Sequence, residues 1–337
     1  MRQAQLTAVG KIEVVEVAVP EIVESTDVQV RIKAVGICGT DLHIFAHGRA
    51  DVQFPRVMGH ELSGEVTAVG ADVTRVKVGD KVVLDPVYAN GTSRACQKGY
   101  PNVCDSVRCY GVQMDGGYQD YIVTGEQHLY VVDDKISYEE AALAEPFSIA
   151  ANILNRTMAT AEDNIIVIGA GTIGLCIIQA AVGMGARVMV ADIEDGKLEK
   201  AKEFGAEVIV NSKTGSIEDA IKEFSPEGLD VVIDAVGVTP LFQASINYAA
   251  PRGRIACIGF DAKLAEISPV VITKKELSII GSRMNCYQFP TVMDWLNNGK
   301  IQAAKMVSKE FPVENIQEAF EYTLANPGTT IKTLIKF

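Results

Sequence analysis

The sequence predicts an α/β protein with two domains, an antiparallel β-barrel-like domain followed by a doubly wound parallel sheet. Three observations support this fold class. The chain has 337 residues, and at roughly 100 to 200 residues per domain this length favours two domains over one. Hydrophobic residues make up 48% of the chain and charged residues 22%, a composition that can bury substantial cores. The pattern of elements also changes near residue 148, from short strands to alternating strands and helices.

The first part of the chain, up to about residue 145, is typical of a β domain. Its segments VQVRIKAVGIC, SGEVTAVGADV and DKVVLDP are rich in valine and isoleucine and are bounded by glycine, aspartate and proline. Such runs predict short strands separated by turns. Helical periodicity is sparse here, so an antiparallel β-barrel-like domain is expected.

The second part alternates between two kinds of segment. Near-continuous apolar runs predict strands that are covered on both faces; they are NIIVIGAG, ARVMVADI, AEVIVN, LDVVIDAVG, GRIACIGF and LSIIGS. Between them lie KLEKAKEFG, SIEDAIKEF and TPLFQASINYAA, which suit amphipathic crossover helices. This alternation builds a parallel, doubly wound sheet. The chain ends in a further strand pattern, IKTLIKF, which we expect to return to the first domain.

Charge and cysteine usage restrict the possible partners. Lysine and arginine number 31 and aspartate and glutamate 43, for a net charge of −12. No basic run is present, which argues against nucleic acid and anionic membranes as partners. The cysteines are an odd number, seven, and scattered, so free thiols or metal ligands are expected instead of a disulfide framework. The N-terminus has no secretory signal, and a cytoplasmic enzyme is predicted.

One uncharged segment, residues 165–186, is long enough to cross a bilayer. It contains five glycines and divides into a strand-type part, IIVI, and a helix-type part, IGLCIIQAAVGM. We therefore predict a buried strand and helix here, not a transmembrane span.

A glycine-rich turn lies inside this segment. The string VIGAGTIGL places Gly169, Gly171 and Gly174 in G-x-G-x-x-G spacing between a predicted strand and a predicted helix. Gly169 allows the tight turn, Gly171 lets the backbone approach a pyrophosphate, and Gly174 lets helix and strand pack closely. Thr172 and Ile173 stand at the start of the helix, whose amides and positive dipole end favour phosphates. A dinucleotide is therefore the predicted cofactor.

An acidic residue ends the next predicted strand. Asp192 lies 18 residues after Gly174, where a carboxylate can accept hydrogen bonds from both adenosine ribose hydroxyls. A 2′-phosphate would meet its charge, and Ile193 and Glu194 supply no compensating cation. NAD is therefore predicted over NADP. The alternative is that Asp192 is only a solvated acid at a strand end.

Three further strings supply candidate metal ligands. GICGTDLH carries Cys38, PRVMGHELSGEV carries His60 and Glu61, and AALAEPFSIAANI carries Glu145. Thiolate, imidazole and carboxylate are zinc ligands, and three protein ligands with one open position make a catalytic site. Cys38 and His60 are the firm candidates, while Glu61 and Glu145 compete for the third place, the other one holding bound water. On these residues alone, a buried cysteine and a surface His–Glu pair remain the alternative interpretation.

These strings, together with VGDKVV, DGGYQDY and VIGAGTIGL in this order, resemble the zinc-dependent medium-chain alcohol dehydrogenase superfamily. The resemblance extends over essentially the whole chain. It is strongest to the polyol and sugar-acid branch, which includes sorbitol dehydrogenases, L-galactonate-type dehydrogenases and starvation-sensing dehydrogenases. The glutamates at 61 and 145 favour this branch, because ethanol-type enzymes use a cysteine as third ligand. Threonine dehydrogenases share the CGTD-x-HI string, but GSRMNCYQFP looks more like the polyol side.

The resemblance implies a domain organisation and an activity. A GroES-like catalytic domain would comprise residues 1–147 and 286–337, and a Rossmann NAD-binding domain residues 148–285. The implied reaction is hydride transfer from a secondary alcohol of a polyol or sugar acid to NAD, with one catalytic zinc per chain. A homo-oligomer, either dimer or tetramer, is also implied.

The chain departs from this family in one region. Relatives carry a four-cysteine lobe that holds a second, structural zinc, and DPVYANGTSRACQKGYPNVC resembles that lobe. Its four ligand positions match Asn90, Ser93, Cys96 and Cys104. Neutral donors do not replace thiolates in a closed tetrahedral site, so loss of the structural zinc is predicted. Cys96 and Cys104 then bind a metal weakly, pair under oxidation or have no role, and the sequence favours no role.

Catalytic roles are assigned by position along the string that begins at Cys38. Zinc lowers the pKa of a substrate hydroxyl. Thr40 is placed to hydrogen-bond that oxygen, and His43 to pass its proton through the cofactor ribose to solvent. Asp41 is a candidate for orienting His60, with a helix cap as the alternative.

Arg283 is the candidate for gripping a hydroxyl-rich chain or a carboxylate, because it follows the last predicted sheet strand. An ion pair between domains is the alternative role. Two other functions compete with the dehydrogenase: a zinc-free reductase of the same superfamily, and a non-catalytic dinucleotide-sensing regulator. The candidate ligand set argues against the first, and the presence of Thr40 and His43 argues against the second.

Overall fold

The computed structural model describes residues 1–259 and 261–337. The chain forms two compact units. Unit 1 contains residues 1–145, 285–299 and 303–337, and unit 2 contains residues 146–284 and 300–302. Residues 300–302, which the predicted boundaries assign to the catalytic domain, therefore group with unit 2. The predicted strand GRIACIGF reaches position 260, which lies outside the described residues.

The strands and helices have the following bounds. The strands are β1 (Arg2–Ala8), β2 (Lys11–Glu16), β3 (Asp27–Gly36), β4 (Glu61–Val69), β5 (Lys81–Leu84), β6 (Val87–Tyr88), β7 (Arg108–Cys109), β8 (Tyr121–Gly125), β9 (Leu129–Val131), β10 (Asn164–Ile168), β11 (Arg187–Asp192), β12 (Val208–Asn211), β13 (Leu229–Asp234), β14 (Ala249–Cys257), β15 (Ser278–Gly281), β16 (Val307–Pro312) and β17 (Lys332–Lys336). The α-helices are α1 (Gly39–His47), α2 (Arg94–Gln97), α3 (Tyr138–Ala142), α4 (Ala144–Arg156), α5 (Thr172–Met184), α6 (Asp195–Glu203), α7 (Ile217–Phe224), α8 (Thr239–Tyr248), α9 (Pro269–Lys275), α10 (Phe289–Asn297) and α11 (Ile316–Ala325). Short 3₁₀ turns lie at Pro101–Val103, Glu126–His128, Ala303–Met306 and Val313–Asn315.

The main sheet of unit 1 has the strand order β16-β17-β3-β4-β5-β9, and β8 also pairs with β3. The pairs are antiparallel except β16–β17. Val28, Val30 and Ile32 alternate along β3 and are buried, as expected for a strand with one face on a core. Shifts in the β3–β4 register let the strands bend. The final IKTLIKF pattern contains β17, which lies beside β3.

The sheet of unit 2 has the order β12-β11-β10-β13-β14-β15, and every pair in it is parallel. This is the doubly wound order in which the direction of winding reverses between the first and fourth strands, here β10 and β13. The apolar runs predicted as strands covered on both faces are buried, for example at residues 165–167 and 231–233. The predicted α/β fold class with a parallel, doubly wound sheet is confirmed.

The uncharged segment 165–186 contains most of β10 and all of α5. Among the described residues, the structure contains no helix with both the length and the apolar character needed to cross a membrane.

Candidate active site

The register of β3 and β4 determines which side chains meet in unit 1. Gly36, the last residue of β3, pairs with Glu61, the first residue of β4. Cys38 follows Gly36 as the N-cap of α1, so Cys38 and His60 approach at the same end of the two strands. A Cβ atom on Gly36 would lie 2.1 Å from Glu61 Oε2. Glycine at position 36 therefore leaves the room in which the Glu61 carboxylate sits.

Three of the predicted metal ligands come together here. A ligand atom from each of Cys38, His60 and Glu61 lies within 4.8 Å of the others. Ligands bound to one zinc ion at about 2.0 to 2.3 Å in tetrahedral geometry are about 3.5 Å apart. The thiol, imidazole and carboxylate therefore fit a zinc ion in both chemistry and spacing. Glu145 is not a member of this group, although it is buried and interacts electrostatically with His60.

The environment of His60 includes a buried carboxyl group. His60 Nδ1 lies 3.7 Å from Asp41 Oδ1, and within the described part of the chain neither atom has a hydrogen-bond partner. Asp41 Oδ2 accepts a hydrogen bond from Cys38 N at 3.0 Å and lies 3.1 Å from the Tyr118 hydroxyl. Asp41 therefore caps α1 and also faces His60. The helix cap and the position beside His60, which the sequence analysis treated as alternatives, are thus compatible.

A buried lysine that the sequence analysis missed contacts this group. Lys332 Nζ donates to Glu61 Oε1 at 2.7 Å and Oε2 at 2.6 Å, and to Ile37 O at 3.0 Å. The side chains of Lys332 and Glu61 are only 2% and 1% exposed. The available signal was a lysine inside the strand pattern IKTLIKF, because a lysine in a buried strand needs a carboxylate partner.

Burial dominates the electrostatics of the site. It raises the pKa of the Cys38 thiol to about 12, that of Glu145 to about 8, and that of Asp41. Burial also lowers the pKa of His60, but the nearby Asp41, Glu145 and Glu61 outweigh it, so the His60 pKa is raised. Several acidic groups thus converge in a region of low dielectric constant, an environment that favours a divalent cation.

The two predicted catalytic residues lie on α1. Thr40 is half-buried and lies in the first turn of α1, two residues after Cys38. His43 is exposed, and its ring centroid lies 5.2 Å from that of His47. Because residues three apart are neighbours on a helix surface, Thr40 and His43 share one side of α1. That side begins next to the metal-ligand group.

The predicted dinucleotide turn of unit 2 connects β10 to α5. Gly169 has φ +100°, a conformation that favours glycine, and a Cβ on Gly174 would lie 1.9 Å from Gly169 O. Gly171 is the N-cap of α5, without a side-chain cap, and a Cβ there would meet nothing within 4 Å. Thr172 and Ile173 begin the helix and are half-buried. The turn therefore has the close helix–strand contact and the open approach that a pyrophosphate requires.

Asp192 lies beside this turn at the end of β11. Its Oδ2 accepts from Ala170 N at 2.6 Å, and its Oδ1 accepts from Ile193 N at 2.7 Å and Glu194 N at 2.9 Å. The carboxylate is thus joined to the glycine turn by the Ala170 amide. Lys213 Nζ lies 3.1 Å from Glu194 Oε1 and brings a cation near this loop that local sequence inspection did not detect.

Comparisons with known proteins identify the family of the chain. Residues 24–134 match the family described as alcohol dehydrogenase GroES-like domain, and residues 172–298 match the zinc-binding dehydrogenase family. The chain is 35% identical over 315 residues to the starvation-sensing protein RspB of Escherichia coli (strain K12), covering 92% of both chains. It is 30% identical over 342 residues to sorbitol dehydrogenase of Bacillus subtilis (strain 168), covering 99% of this chain and 97% of the relative.

The chain belongs to the zinc-type medium-chain alcohol dehydrogenase superfamily, in its polyol branch. Its structure also matches that of an alcohol dehydrogenase from E. coli CFT073 complexed with NADH, with a TM-score of 0.95, 33% identity and coverage of 100% and 99% of the two chains. The predicted family and the predicted GroES-like and Rossmann folds are confirmed. The protein is an NAD(P)-dependent alcohol dehydrogenase that acts on CH–OH groups.

The lobe between β6 and β7 carries the four positions that the sequence resemblance matched to a structural zinc lobe, Asn90, Ser93, Cys96 and Cys104. Asn90 Oδ1 accepts from Thr92 N at 3.1 Å, and Ser93 Oγ accepts from Cys96 N at 3.2 Å. Cys96 and Cys104 are free thiols, the first half-exposed and the second buried. Across the described residues, the metal-ligand group that the structure shows is Cys38, His60 and Glu61.

The structure places the predicted substrate residue, Arg283, just after β15, with an exposed side chain. The turn that carries it is held by Asn152, whose Nδ2 donates to Ser282 Oγ at 3.1 Å and to Met284 O at 3.0 Å. Asn152 is another residue that the sequence did not single out.

Proposed function

We propose that this dehydrogenase transfers hydride from a secondary alcohol of a polyol or sugar acid to NAD, with one zinc ion held by Cys38, His60 and Glu61. The observation that carries the proposal is the convergence of a thiol, an imidazole and a carboxylate within 4.8 Å. A zinc-free reductase has no need of such a group. When bound, zinc supplies a Lewis acid that lowers the pKa of a substrate hydroxyl.

We assign the third ligand position to Glu61 because its carboxylate belongs to the converging group. Glu145 would not bind the zinc directly but would hold a bound water next to the ligands. Its burial and its electrostatic interaction with His60 support this position next to the ligands. Asp41 would orient the imidazole of His60 through its Nδ1 side.

The proton of the substrate hydroxyl needs a route away from the site. Thr40 would accept it in a hydrogen bond, since it lies two residues after Cys38 in the first turn of α1. His43 would carry the proton to solvent, which its exposure supports. Binding both reactants at fixed geometry, away from water, is the remaining contribution of the protein.

Binding of the dinucleotide is assigned to the turn at Gly169, Gly171 and Gly174, with the first residues of α5, Thr172 and Ile173. Asp192 would accept hydrogen bonds from the adenosine ribose, and its negative charge supports NAD over NADP. For the substrate, the polyol branch of the family supports a hydroxyl-rich chain. Arg283 would grip its polar end, and its exposed position supports that role.

The family resemblance also supports a cytoplasmic homo-oligomer, a dimer or a tetramer. Size-exclusion chromatography with light scattering measures the mass directly. A monomer at micromolar concentration would contradict this part of the proposal.

The first experiment is a zinc count by elemental analysis on untagged protein, followed by a screen of polyols and hexonates with NAD. About one zinc per chain and NADH production with a member of that panel are expected. Cys38→Ser should abolish both zinc retention and turnover while NADH binding, measured by fluorescence, stays within about twofold. Cys257→Ser is the matched control and should retain zinc. Absence of zinc after reconstitution would favour the zinc-free reductase or the sensor.

A further inference from the structure

Two cysteines lie in a loop segment of unit 1 whose two ends are joined by strand pairing. β6 and β7 pair, with Val87 opposite Cys109, so residues 89–107 form a lobe that is joined at its base. Cys96 lies in α2, a single-turn helix in which no residue is buried. Cys104 follows the 3₁₀ turn Pro101–Val103. Cys104 is itself buried, but neither thiol belongs to the main hydrophobic core of unit 1.

Hydrogen bonds within the lobe hold the two thiols together. Ser93 Oγ caps α2 by accepting from Cys96 N at 3.2 Å. The Cys104 sulfur lies 3.2 Å from Ser106 Oγ and also hydrogen-bonds to the side chains of Ser93 and Cys96. Cys96 and Cys104 therefore lie close enough to interact within the lobe.

The same contacts distinguish Cys104 from Cys109 and Cys257. The hydrogen bond from Ser106, with those from Ser93 and Cys96, lowers the pKa of Cys104 to about 6. Burial raises the pKa of Cys257, and raises that of Cys109 well above the usual range for a thiol. The thiolate is the nucleophilic form of cysteine, so the lobe contains an activated sulfur next to a second thiol.

We propose that Cys96 and Cys104 form a redox-active dithiol, which hydrogen peroxide converts into a disulfide within the lobe. The sequence alone favoured no role for these two cysteines. The proposal does not depend on the substrate or the zinc chemistry of the dehydrogenase, because the lobe contacts that support it involve neither.

The chemistry balances in two steps. The Cys104 thiolate attacks one oxygen of hydrogen peroxide; an S–O bond forms, the O–O bond breaks, and hydroxide leaves, which gives a sulfenic acid. The Cys96 thiol then attacks the Cys104 sulfur; the S–S bond forms, the S–O bond breaks, and water leaves with the Cys96 proton. Two thiols are oxidised and one peroxide is reduced.

A third cysteine provides an internal check. Cys286 Sγ lies 3.4 Å from Gly99 O, on the loop between the two lobe cysteines. It is a possible competitor for a disulfide with Cys96. The identity of the linked peptides therefore tests the proposed pair specifically.

The experiment treats the zinc-loaded enzyme with hydrogen peroxide, alkylates the remaining thiols and maps disulfides by mass spectrometry. We expect loss of two thiols per chain, a Cys96–Cys104 cross-link, and full reversal by dithiothreitol. The loss should be at least tenfold faster than that of Cys257. Cys96→Ser should instead accumulate a Cys104 sulfenic acid that dimedone traps, and Cys104→Ser should slow the oxidation of Cys96 at least tenfold.

Cys257→Ser is the matched control and should leave cross-linking unchanged. Far-ultraviolet circular dichroism and NADH binding establish that the lobe variants fold, and the wild-type cross-link gives a result that needs no variant. A Cys96–Cys286 cross-link, oxidation no faster than at Cys257, or a second zinc equivalent lost in Cys96→Ser would each overturn the proposal. Failure of the zinc-dehydrogenase proposal would leave the cross-link unaffected.

Discussion

Lys332 and Glu61 form an ion pair in the interior of unit 1, with both carboxylate oxygens within 2.7 Å of the lysine nitrogen. The two residues are 271 positions apart in the chain. Glu61 begins β4 and Lys332 begins β17, on either side of β3 in the sheet. The last strand of the protein therefore supplies the counter-charge for a residue in the metal-ligand group.

Removal of the lysine should destabilise unit 1. Lys332→Met leaves the Glu61 charge buried without its partner, which costs about 3 to 5 kcal/mol. Urea unfolding of the zinc-depleted protein, followed by the fluorescence of Trp295 in α10 of unit 1, measures this loss. Lys213→Met breaks an exposed pair with Glu194 and should cost less than about 1 kcal/mol. Equal stability of the two variants would contradict a strong buried pair.

Glutamine substitutions should distinguish the roles of Glu61 and Glu145 in zinc binding. If Glu145 supports the ligands indirectly, as proposed, Glu145→Gln should lower zinc affinity about 10- to 100-fold, which is typical of such groups. Glu61→Gln removes the carboxylate proposed as the direct ligand and leaves Lys332 uncompensated, so its loss should be at least tenfold larger. Competition with a chromophoric chelator gives both affinities. The reverse order would assign the direct position to Glu145.

Asp192 should control the choice of coenzyme. Asp192→Asn removes the charge, and because hydrogen bonds to charged groups contribute about 1.5 to 3 kcal/mol, kcat/KM for NAD should fall roughly 10- to 100-fold. The value for NADP should stay constant or rise, since the repulsion is gone and Lys213 lies near the loop. Asp195→Asn, at a neighbouring acid that bonds to Asn211, should change neither value by more than about twofold. Equal losses with NAD and NADP would indicate damage to the turn.

Asp85 should make the stability of unit 1 depend on pH. Its Oδ1 accepts from Val87 N and Asn285 Nδ2, both at 3.0 Å, but burial raises its pKa to about 6. A carboxyl whose pKa is raised by folding stabilises the protein below its unfolded pKa, near 4, and loses that contribution as the pH rises through about 6. The stability of the wild type relative to Asp85→Asn should therefore fall by up to about 3 kcal/mol between pH 4 and pH 7.5.

Unfolding monitored by Trp295 fluorescence at a series of pH values measures this difference. Because both proteins lose any bound metal in the same acid range, the comparison isolates Asp85. A difference that stays constant with pH would show that Asp85 remains ionised in the folded protein.

Much of the site could be predicted because its features are local. The spacing of Gly169, Gly171 and Gly174 between a strand and a helix depends on a few consecutive residues, and the structure has the expected close contact between Gly174 and Gly169. The types of the candidate ligands are likewise visible in short strings. Periodic apolar runs indicated the parallel sheet for the same reason, since strand and crossover helix each leave a periodic pattern.

Other relationships depend on residues far apart in the chain. Whether Glu61 or Glu145 joins Cys38 and His60 is decided by the β3–β4 register, which puts Gly36 opposite Glu61. The bond from the Ala170 amide to Asp192 depends on the parallel pairing of β10 and β11.

The sequence by itself determined the fold class and the family, and it supplied the glycine turn and the candidate metal ligands, because each is encoded within short stretches of chain. Only the tertiary structure decided that Lys332 neutralises Glu61, that Asp41 both caps α1 and faces His60, and that the Cys96 and Cys104 thiols interact within the lobe. Such contacts follow from strand register and from how the loops fold. Strand register and loop conformation depend on the packing of the whole unit, which cannot be predicted from local periodicity in the sequence.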